Sequence, residues 1–266
     1  MSGVALVTGG SRGIGAETVR LLARDGYAVA INYRERGDAA DTLAEDVQAL
    51  GGTAITVRGD VGEPADIERM FAEVDKSLGR LTALVNNAGM SGCGRLVADF
   101  EADFLDRIMR VNVIGIMLCA REAIRRMSTR LGGQGGAIVN VSSMAATIGG
   151  RPRRTDYACS KRAVEGFTVG LAKEVGREGI RVNAVRPAVT LTDMVSDVTT
   201  NPELRTRIAE DFGMNRCADP IEIARPIAWL LSEEASYVSG ALLDCSGGGF
   251  MLGRLQTTDG NTDSDS

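Results

Sequence analysis

Tyr157 and Lys161 are spaced so that their side chains could act together in proton transfer. Residues four apart meet on one face of a helix, with Cβ atoms about 5–6 Å apart. A phenol has a pKa of about 10, and an adjacent ammonium favours the ionised form, which brings the group toward the range useful for acid–base chemistry. Ser143 lies fourteen positions before Tyr157 and could hold a substrate oxygen beside it. The competing interpretation is an exposed aromatic residue next to an ordinary solvated lysine.

The composition limits the chemistry that is available to the chain. Its 266 residues are 44% hydrophobic and 24% charged, which predicts one globular domain. No histidine is present, which excludes histidine-based triads and most zinc sites, so no metal site is predicted. The net charge of −5, without long runs of Lys or Arg, argues against a nucleic-acid partner. Five scattered cysteines and the lack of a secretory or membrane-length apolar segment predict a cytoplasmic protein without a membrane partner.

A glycine-rich turn follows the first predicted strand, Val4 to Val7. Its pattern is T-G-x-x-x-G-x-G, with Gly9, Gly13 and Gly15, and the amphipathic run from Ala16 to Arg24 comes next. Glycines allow positive φ and a close approach of ligand to backbone, while the start of a helix offers free N–H groups to a phosphate. The pattern differs from G-x-G-x-x-G. Three glycines are nevertheless more than a simple strand-to-helix connection needs, so a nucleotide phosphate site is predicted.

The second predicted strand, Ala28 to Tyr33, indicates which nucleotide is bound. In dinucleotide-binding folds an acidic residue near this strand end binds the adenosine ribose, whereas an arginine accommodates a 2′-phosphate. Asn32, Tyr33 and Arg34 stand here, and Arg12 lies in the glycine turn. Two guanidinium groups with no carboxylate immediately at the strand end favour NADP(H). Glu35 is close enough to leave NAD(H) as the alternative.

Further polar residues follow the later predicted strands. Asp60 could reach an adenine amino group, or it could cap the turn before the next helix. The small residues of Asn87-Ala88-Gly89 would let a ring or ribose lie against the backbone, while Asn86 could equally tie neighbouring strands together. Asn112 interrupts an apolar stretch where two helices over Glu101–Arg130 are predicted to break, and a buried amide there needs hydrogen-bond partners.

Strands alternate with helices along the chain, which predicts an α/β fold with a doubly wound parallel sheet of about seven strands. Ligands of such sheets lie outside the carboxyl ends of the strands, so the candidate residues share one edge. Segment 188–217 lacks strong apolar periodicity apart from a short helix after Pro202, and it is predicted to be a substrate lid. Residues 255–266 are polar and acidic and are predicted to be a disordered tail.

Together these motifs resemble the short-chain dehydrogenase/reductase family over roughly residues 1–254. The residues that carry the resemblance are Thr8-Gly9-x-x-x-Gly13-x-Gly15, Asn86-Asn87-Ala88-Gly89, Asn112, Ser143, Tyr157-x-x-x-Lys161 and the Pro187 segment. The resemblance implies a single-domain, Rossmann-like NAD(P)-dependent oxidoreductase. Its implied catalytic residues are Ser143, Tyr157, Lys161 and Asn112.

By analogy with the family, Tyr157 exchanges a proton with the substrate oxygen while hydride passes to or from the nicotinamide. Lys161 lowers the pKa of the tyrosine and holds the nicotinamide ribose, Ser143 hydrogen-bonds the substrate oxygen, and Asn112 supports a water chain. The implied cofactor-binding residues are Gly9, Ser11, Arg12, Gly13, Ile14, Gly15, Asn32, Tyr33, Arg34, Asp60, Val61, Asn87, Ala88, Gly89, Tyr157, Lys161, Pro187, Thr190 and Thr192.

The chain departs from the family pattern at three places. Pro187-Ala188 replaces the usual Pro-Gly, and Thr190 replaces an aliphatic residue. Because the family makes this carboxamide contact largely through backbone, with a hydroxyl from Thr192, binding is expected to survive. The interval from Ser143 to Tyr157 is one residue longer than is most common, which leaves Ser142 as an alternative to the favoured Ser143.

The resemblance also bears on partners and substrate. Family members pair their long helices into dimers and tetramers, which makes Asp103–Leu131 and Asp156–Arg177 the candidate interface of a homotetramer or homodimer. The substrate is expected to be a small carbonyl or alcohol, as in 3-oxoacyl carrier-protein reductases and sugar dehydrogenases. Arg151, Arg153 and Arg154 could meet an anionic substrate or carrier protein, or form a solvated loop. The alternative function is a non-catalytic NADP(H)-binding sensor or scaffold.

Overall fold

Seven parallel strands form one sheet in the computed structural model, which describes residues 3–250. In chain order the strands are β1 (Val4–Val7), β2 (Ala28–Tyr33), β3 (Thr53–Arg58), β4 (Leu81–Asn86), β5 (Gly136–Val141), β6 (Ile180–Pro187) and β7 (Leu242–Cys245). They lie side by side in the order β3-β2-β1-β4-β5-β6-β7. The order reverses direction between β1 and β4, and a crevice for a ligand opens at such a switch point.

Helices connect the strands and cover both faces of the sheet. Within residues 3–250 they are α1 (Gly13–Arg24), α2 (Gly37–Ala49), α3 (Pro64–Leu78), α4 (Ala102–Met109), α5 (Gly115–Met127), α6 (Ala145–Ile148), α7 (Thr155–Val175), α8 (Ser196–Thr200), α9 (Pro202–Ala209) and α10 (Pro220–Leu231). Proline stands in the first turn of α3, α9 and α10, where its missing N–H costs no intrahelical bond.

Alternate residues along the strands pack into two separate hydrophobic cores, one on each face of the sheet. On β1, Val7 contributes to the core beneath α1, α2 and α10, whereas Leu6 contributes to the core beneath α3, α5 and α7. Leu22 of α1 and Phe71 of α3 are almost completely buried on the two opposite faces. Because both faces are covered, the sheet is a rigid platform and its carboxyl edge is the natural place for a site.

The predicted doubly wound sheet of about seven strands is confirmed. Two local features differ from the prediction. The expected break near Asn112 is a π-helical segment, Arg110–Ile114, through which α4 continues into α5. The expected loop before Tyr157 contains the single turn α6. A π segment widens the helix by one residue, and such segments are common at functional sites.

The predicted lid, 188–217, forms two short helices, α8 and α9, over the carboxyl edge of the sheet. Val198, Ile208, Phe212 and Cys217 make a small apolar cluster separate from the two main cores. Phe212 also stacks against Phe250, with ring centroids 5.0 Å apart. The predicted tail, 255–266, lies outside the described residues.

In the part of the chain from 3 to 250, no helix is both long enough and apolar enough to cross a membrane.

Candidate active site

Hydrogen bonds join the glycine turn to the segment that follows β4, across the switch point of the sheet. The Thr8 hydroxyl accepts from the backbone N–H groups of Asn87 and Ala88, at 3.0 and 3.1 Å. In return, the Asn87 amide donates to the carbonyls of Thr8 and Gly9, at 3.0 and 2.9 Å. The two loops are therefore held in one fixed arrangement at the bottom of the crevice.

Two glycines of the turn adopt backbone angles that side chains rarely allow. Gly9 has φ +59° and Gly13 has φ +55°. Asn32, at the end of β2, supports the turn from below: its Oδ1 accepts from Gly9 N–H at 3.1 Å, and its Nδ2 donates to the carbonyls of Val57 and Gly59. Asn32 is 2% exposed. Its polar atoms thus bind the protein backbone, and it acts on a ligand by shaping the turn.

One cavity of about 670 Å³ runs along this edge of the sheet from the glycine turn to the lid. It is lined by nearly all of the predicted site residues: Gly9, Ser11, Arg12, Gly13, Ile14, Asn32, Tyr33, Arg34, Asp60, Val61, Asn87, Ala88, Gly89, Ser143, Tyr157, Lys161, Pro187, Thr190 and Thr192. Gly15 and Asn112 lie behind its wall. The fold therefore gathers residues from six strand ends and one helix around a single space.

Tyr157, Lys161 and Ser143 converge at the middle of this cavity. Tyr157 and Lys161 lie in the first two turns of α7, and the Lys161 Nζ is 5.7 Å from the centroid of the Tyr157 ring. Ser143 follows β5 and is hydrogen-bonded to the Tyr157 side chain. The Lys161 ammonium donates to the Val141 carbonyl at 2.8 Å, which fixes its position against the end of β5.

Burial changes the acid–base properties of both groups. It raises the pKa of Tyr157, although the hydrogen bond with Ser143 and the positive charge of Arg154 lower this pKa in part. Burial also lowers the pKa of Lys161 to about 8. The pKa of the phenol is therefore shifted in the direction opposite to that predicted from the Tyr157–Lys161 pair. The cause is the loss of hydration around the phenol.

Ser142 and Ser143 lie in different surroundings. The Ser142 hydroxyl points into the protein, where it donates to the Lys161 carbonyl at 3.2 Å and to the Glu165 carboxylate at 3.3 Å. Ser143 lines the cavity, and its hydroxyl accepts from Ala145 N–H at 3.1 Å. Only the second serine has its hydroxyl beside the phenol, in agreement with the preference for Ser143.

Asn112, completely buried in the π segment, has the partners that its amide requires. Its Oδ1 accepts from Met90 N–H at 2.7 Å, and its Nδ2 donates to the Met90 carbonyl and to the Ser160 hydroxyl, both at 3.0 Å. It thereby ties the loop after β4 to α7 next to Tyr157. Ser160 was not identified from the sequence; the only signal is its position between Tyr157 and Lys161.

The end of the cavity near β2 contains charged groups that are paired with one another. Arg34 bonds to Glu35, and its Nη1 is 3.6 Å from Asp60 Oδ2. Asp60 also forms an ion pair with Arg107 of α4, and its Oδ1 accepts from Gly62 N–H. The alternative in which Asp60 caps its own turn is thus present. The other predicted cation, Arg12, pairs with Asp193 of the lid at 3.0 Å.

At the opposite end, the segment after β6 turns over the cavity. Pro187 is the last residue of β6, and Thr190 is 6% exposed with its hydroxyl donating to the Ala188 carbonyl. The Thr192 hydroxyl is 3.4 Å from the Thr190 carbonyl. Both residues line the cavity, but their hydroxyl groups form hydrogen bonds within their own loop. The backbone of this loop is therefore the part that can contact a ligand.

The structure gives two further residues a place in the site. Thr8 belongs to the predicted turn motif, but only the structure shows that it organises both loops at the switch point. Asp156, which the sequence did not single out, is buried beside Tyr157, where its Oδ2 accepts from Cys93 N–H at 2.8 Å. An acidic residue in the first turn of a helix is common for electrostatic reasons alone, so its sequence gave no specific signal.

The glycine-turn end of the cavity fits a dinucleotide. Helix α1 begins at Gly13 inside the turn, it has no acidic residue in its first turn, and its N-cap Arg12 makes no side-chain capping bond. Its first N–H groups are therefore available to a pyrophosphate. A Cβ atom on Gly9 would stand 3.0 Å from Ala88 Cα, so only glycine keeps this cradle open.

Comparison with known proteins agrees with this geometry. The chain matches the family described as Enoyl-(Acyl carrier protein) reductase over residues 9–249. It is 42% identical to the uncharacterized oxidoreductase YgfF of Escherichia coli (strain K12) over 92% of this chain and 99% of that protein.

Two solved structures are similar over almost their whole length. A short-chain dehydrogenase/reductase from Serratia marcescens BCRC 10948 superposes with a TM-score of 0.87 at 33% identity, covering 93% of this chain and 98% of the other. A blue fluorescent protein from a metagenomic library, solved in complex with NADPH, superposes with a TM-score of 0.84 at 34% identity, covering 92% and 96%.

Proposed function

Because the chain belongs to the short-chain dehydrogenase/reductase family, we propose that it is an NADP(H)-preferring oxidoreductase that interconverts a carbonyl and a secondary alcohol. The observation that carries the proposal is the convergence of Tyr157, Ser143 and Lys161 on the cavity that also contains the glycine turn. A nucleotide-binding sensor would need the turn. It would have no use for a proton donor that lines the same cavity.

In the proposed reaction Tyr157 is the general acid for reduction and the general base for oxidation. A nicotinamide held in this cavity would supply the hydride that the carbonyl carbon takes up in reduction, or would accept it from the alcohol carbon in oxidation. During reduction the phenol gives its proton to the carbonyl oxygen, and Ser143 holds that oxygen by a hydrogen bond. Since burial raises the pKa of Tyr157, the phenol is protonated at neutral pH, which is the form that reduction requires.

Lys161 and Asn112 have supporting roles in this proposal. Lys161 is fixed by the Val141 carbonyl, and its remaining N–H groups can hold a ribose hydroxyl and favour the phenolate when it forms. Asn112 Oδ1 accepts one hydrogen bond and retains capacity for a second, which supports the proposed water chain that returns a proton to Tyr157.

The preference for NADP(H) rests on the charges at the end of β2. Arg34 and Arg12 both line the cavity and are about half exposed. Their present partners are exposed or only partly buried carboxylates, and such ion pairs contribute only about 0–1 kcal/mol. A 2′-phosphate, with its greater charge, would displace them at little cost. NAD(H) has no group to make these contacts and is expected to bind more weakly.

We also propose a homotetramer or homodimer assembled through the predicted helices. Apolar side chains on this surface support it: Met109, Ile114 and Met117 are 37–45% exposed along α4, the π segment and α5. Light scattering on the purified protein measures the mass directly. A monomer of 28.1 kDa at micromolar concentration would contradict the proposal.

Tyr157→Phe tests the catalytic proposal, since it removes the acidic hydroxyl and keeps the ring. General acid–base catalysis contributes typically about 10²–10⁴-fold, so kcat on a carbonyl substrate should fall by that factor. Fluorescence titration should show that NADPH still binds. Tyr237→Phe is the matched control, because Tyr237 is fully exposed. Unchanged turnover by Tyr157→Phe would reject the mechanism, and binding of NADPH without any turnover by the wild-type protein would favour the sensor.

A further inference from the structure

Three arginines that form one basic cluster in the sequence occupy three different environments. Arg151 pairs with Asp211 of the lid, its Nη2 lying 3.0 Å from the carboxylate. Arg153 has φ 68°, is exposed, and does not line the cavity. Arg154 is the N-cap of α7 and lines the cavity three residues before Tyr157. Of the three, only Arg154 both lines the cavity and has no carboxylate oxygen of the described residues within 4.0 Å of its guanidinium.

The contacts of Arg154 hold its guanidinium in place without neutralising it. Its Nη1 donates to the Gly92 carbonyl at 2.7 Å, which leaves the other N–H groups of the fork available. Among residues 3–250, the structure shows no carboxylate oxygen within 4.0 Å of this guanidinium. The nearest acidic residue in sequence, Asp156, instead accepts a hydrogen bond from Cys93 N–H with its Oδ2. Arg154 and Tyr157 line the same cavity, and the charge of Arg154 lowers the pKa of Tyr157.

Apolar side chains form much of this end of the cavity: Ile148 of α6 and Val189, Val195 and Val198 of the lid all line it. Two charged residues of the same segments, Arg151 and Asp197, line it as well, and Arg151 is paired with Asp211. The phosphate-binding features, by contrast, lie at the glycine turn at the other end. A guanidinium beside apolar side chains suits a ligand with an apolar body and one anionic group.

We propose that the substrate is a small oxo acid and that Arg154 binds its carboxylate while the oxo group lies at Tyr157 and Ser143. This inference rests on the proposed function and names the substrate class of that site. The planar fork of arginine matches a carboxylate with two parallel hydrogen bonds. Because Arg154 and Tyr157 flank the same turn of α7, the carboxylate lies within a few bonds of the reacting carbonyl.

The test compares 2-oxo, 3-oxo and 4-oxo acids with their methyl esters, which keep the carbonyl and remove the charge. The readout is the ratio of kcat/KM for each acid to that for its ester, with NADPH. A charge-assisted hydrogen bond is typically worth about 10–100-fold in affinity, so the wild-type ratio should exceed about 10 for at least one pair. Arg154→Gln should lower this ratio about tenfold or more. Arg153→Gln, a matched change of charge one residue away, should leave it unchanged.

The ratio separates substrate binding from other effects of the substitution. Loss of the Gly92 contact, or of the charge near Tyr157, would slow acid and ester together and leave the ratio intact. If Arg154→Gln lowered kcat/KM equally for the acid and its ester, the inference would therefore be overturned. Arg154→Lys keeps the charge without the fork, and an intermediate ratio is expected.

A second measurement does not depend on any variant folding. Raising the ionic strength from about 0.01 to 0.15 M shortens the Debye length from about 30 to 8 Å, so the wild-type preference for the acid should fall while ester turnover stays constant. A wild-type protein that reduces esters, shows no preference for acids and has no salt dependence would refute this inference alone. If no carbonyl is reduced with either cofactor, the proposed function itself fails.

Discussion

The two halves of the cavity are built in different ways. The glycine-turn half, formed by residues 8–15 and 87–89, is held by buried hydrogen bonds among β1, β2 and β4, with Thr8, Asn32 and Asn87 at their centre. The lid half, formed by residues 148–154 and 188–217, has a small apolar cluster of its own. The exposed ion pair Arg12–Asp193 connects it to the glycine-turn half, and the exposed pair Arg151–Asp211 joins its own two segments.

This contrast separates two kinds of recognition. The glycine-turn half presents backbone groups in a hydrogen-bonded frame, so its geometry tolerates little change and suits a ligand that is always the same. The lid half presents side chains on loops and short helices with few buried contacts, and such segments open at low free energy and accept substitution. The cofactor is expected to depend on the first half and the substrate on the second.

Among the substitutions that compare the two halves, the largest effect is expected from Gly15→Ala in the glycine-turn half. The added Cβ would contact the Gly9 carbonyl and lie 2.7 Å from Asn87 Nδ2, so backbone must move. Overpacking of this kind costs about 1–3 kcal/mol, and a backbone obstacle places it at the upper end. We expect a lower midpoint in urea and at least tenfold weaker NADPH binding, about 1.4 kcal/mol.

Gly176→Ala is the control for this substitution. Gly176 has φ −56°, and a Cβ there would meet nothing within 4 Å, so stability should be unchanged or slightly higher. If Gly15→Ala bound NADPH as well as the wild-type protein, the proposed rigidity of the glycine-turn half would be wrong.

An intermediate effect is expected at Lys161, which lies between the two halves. Burial lowers its pKa from 10.5 to about 8, so between these values the unfolded chain binds a proton that the native protein has released. Stability should therefore rise with pH across this window. The difference between 10.5 and about 8 corresponds to about 3 kcal/mol. The free energy of unfolding of the wild-type protein and of Lys161→Met is measured in urea without ligand. As the pH rises across this window, the wild-type value should increase relative to that of the variant.

Lys173→Met provides the comparison, because Lys173 is an exposed lysine on the same helix. No such growth with pH is expected for it. If the difference in unfolding free energy between the wild-type protein and Lys161→Met did not change from about pH 8 to 10.5, Lys161 would be hydrated in the native protein. The two halves would then be less tightly joined there.

The smallest effect is expected from Arg34→Ala, because Arg34 is an exposed side chain on an otherwise rigid half. We expect about tenfold weaker binding of NADPH and about twofold or less for NADH, since only NADPH carries the 2′-phosphate. Arg24→Ala, an exposed arginine at the far end of α1, should alter neither affinity. Equal weakening of both cofactors by Arg34→Ala would show that this residue does not discriminate between them.

Sequence patterns were sufficient to predict most strands of the sheet and the edge at which the candidate site lies. The predicted bounds of β1 and β2 coincide with the structure, because each has a strong local signal, an apolar run between glycines. Local periodicity did not show the π segment at Asn112, because its extra residue is stabilised by Met90 and Ser160 from elsewhere in the fold.

Within the site, residue types and spacing predicted that a phenol, an amine and a hydroxyl meet at a strand edge beside a phosphate-binding turn. Only tertiary structure decided which serine faces the phenol, that Asn32 supports the turn from below, and that Arg154 alone among three arginines lines the cavity unpaired. It also decided the sign of the pKa change at Tyr157. Spacing along a helix determines which groups are neighbours, whereas burial and the partners supplied by distant strands determine their charge state and direction.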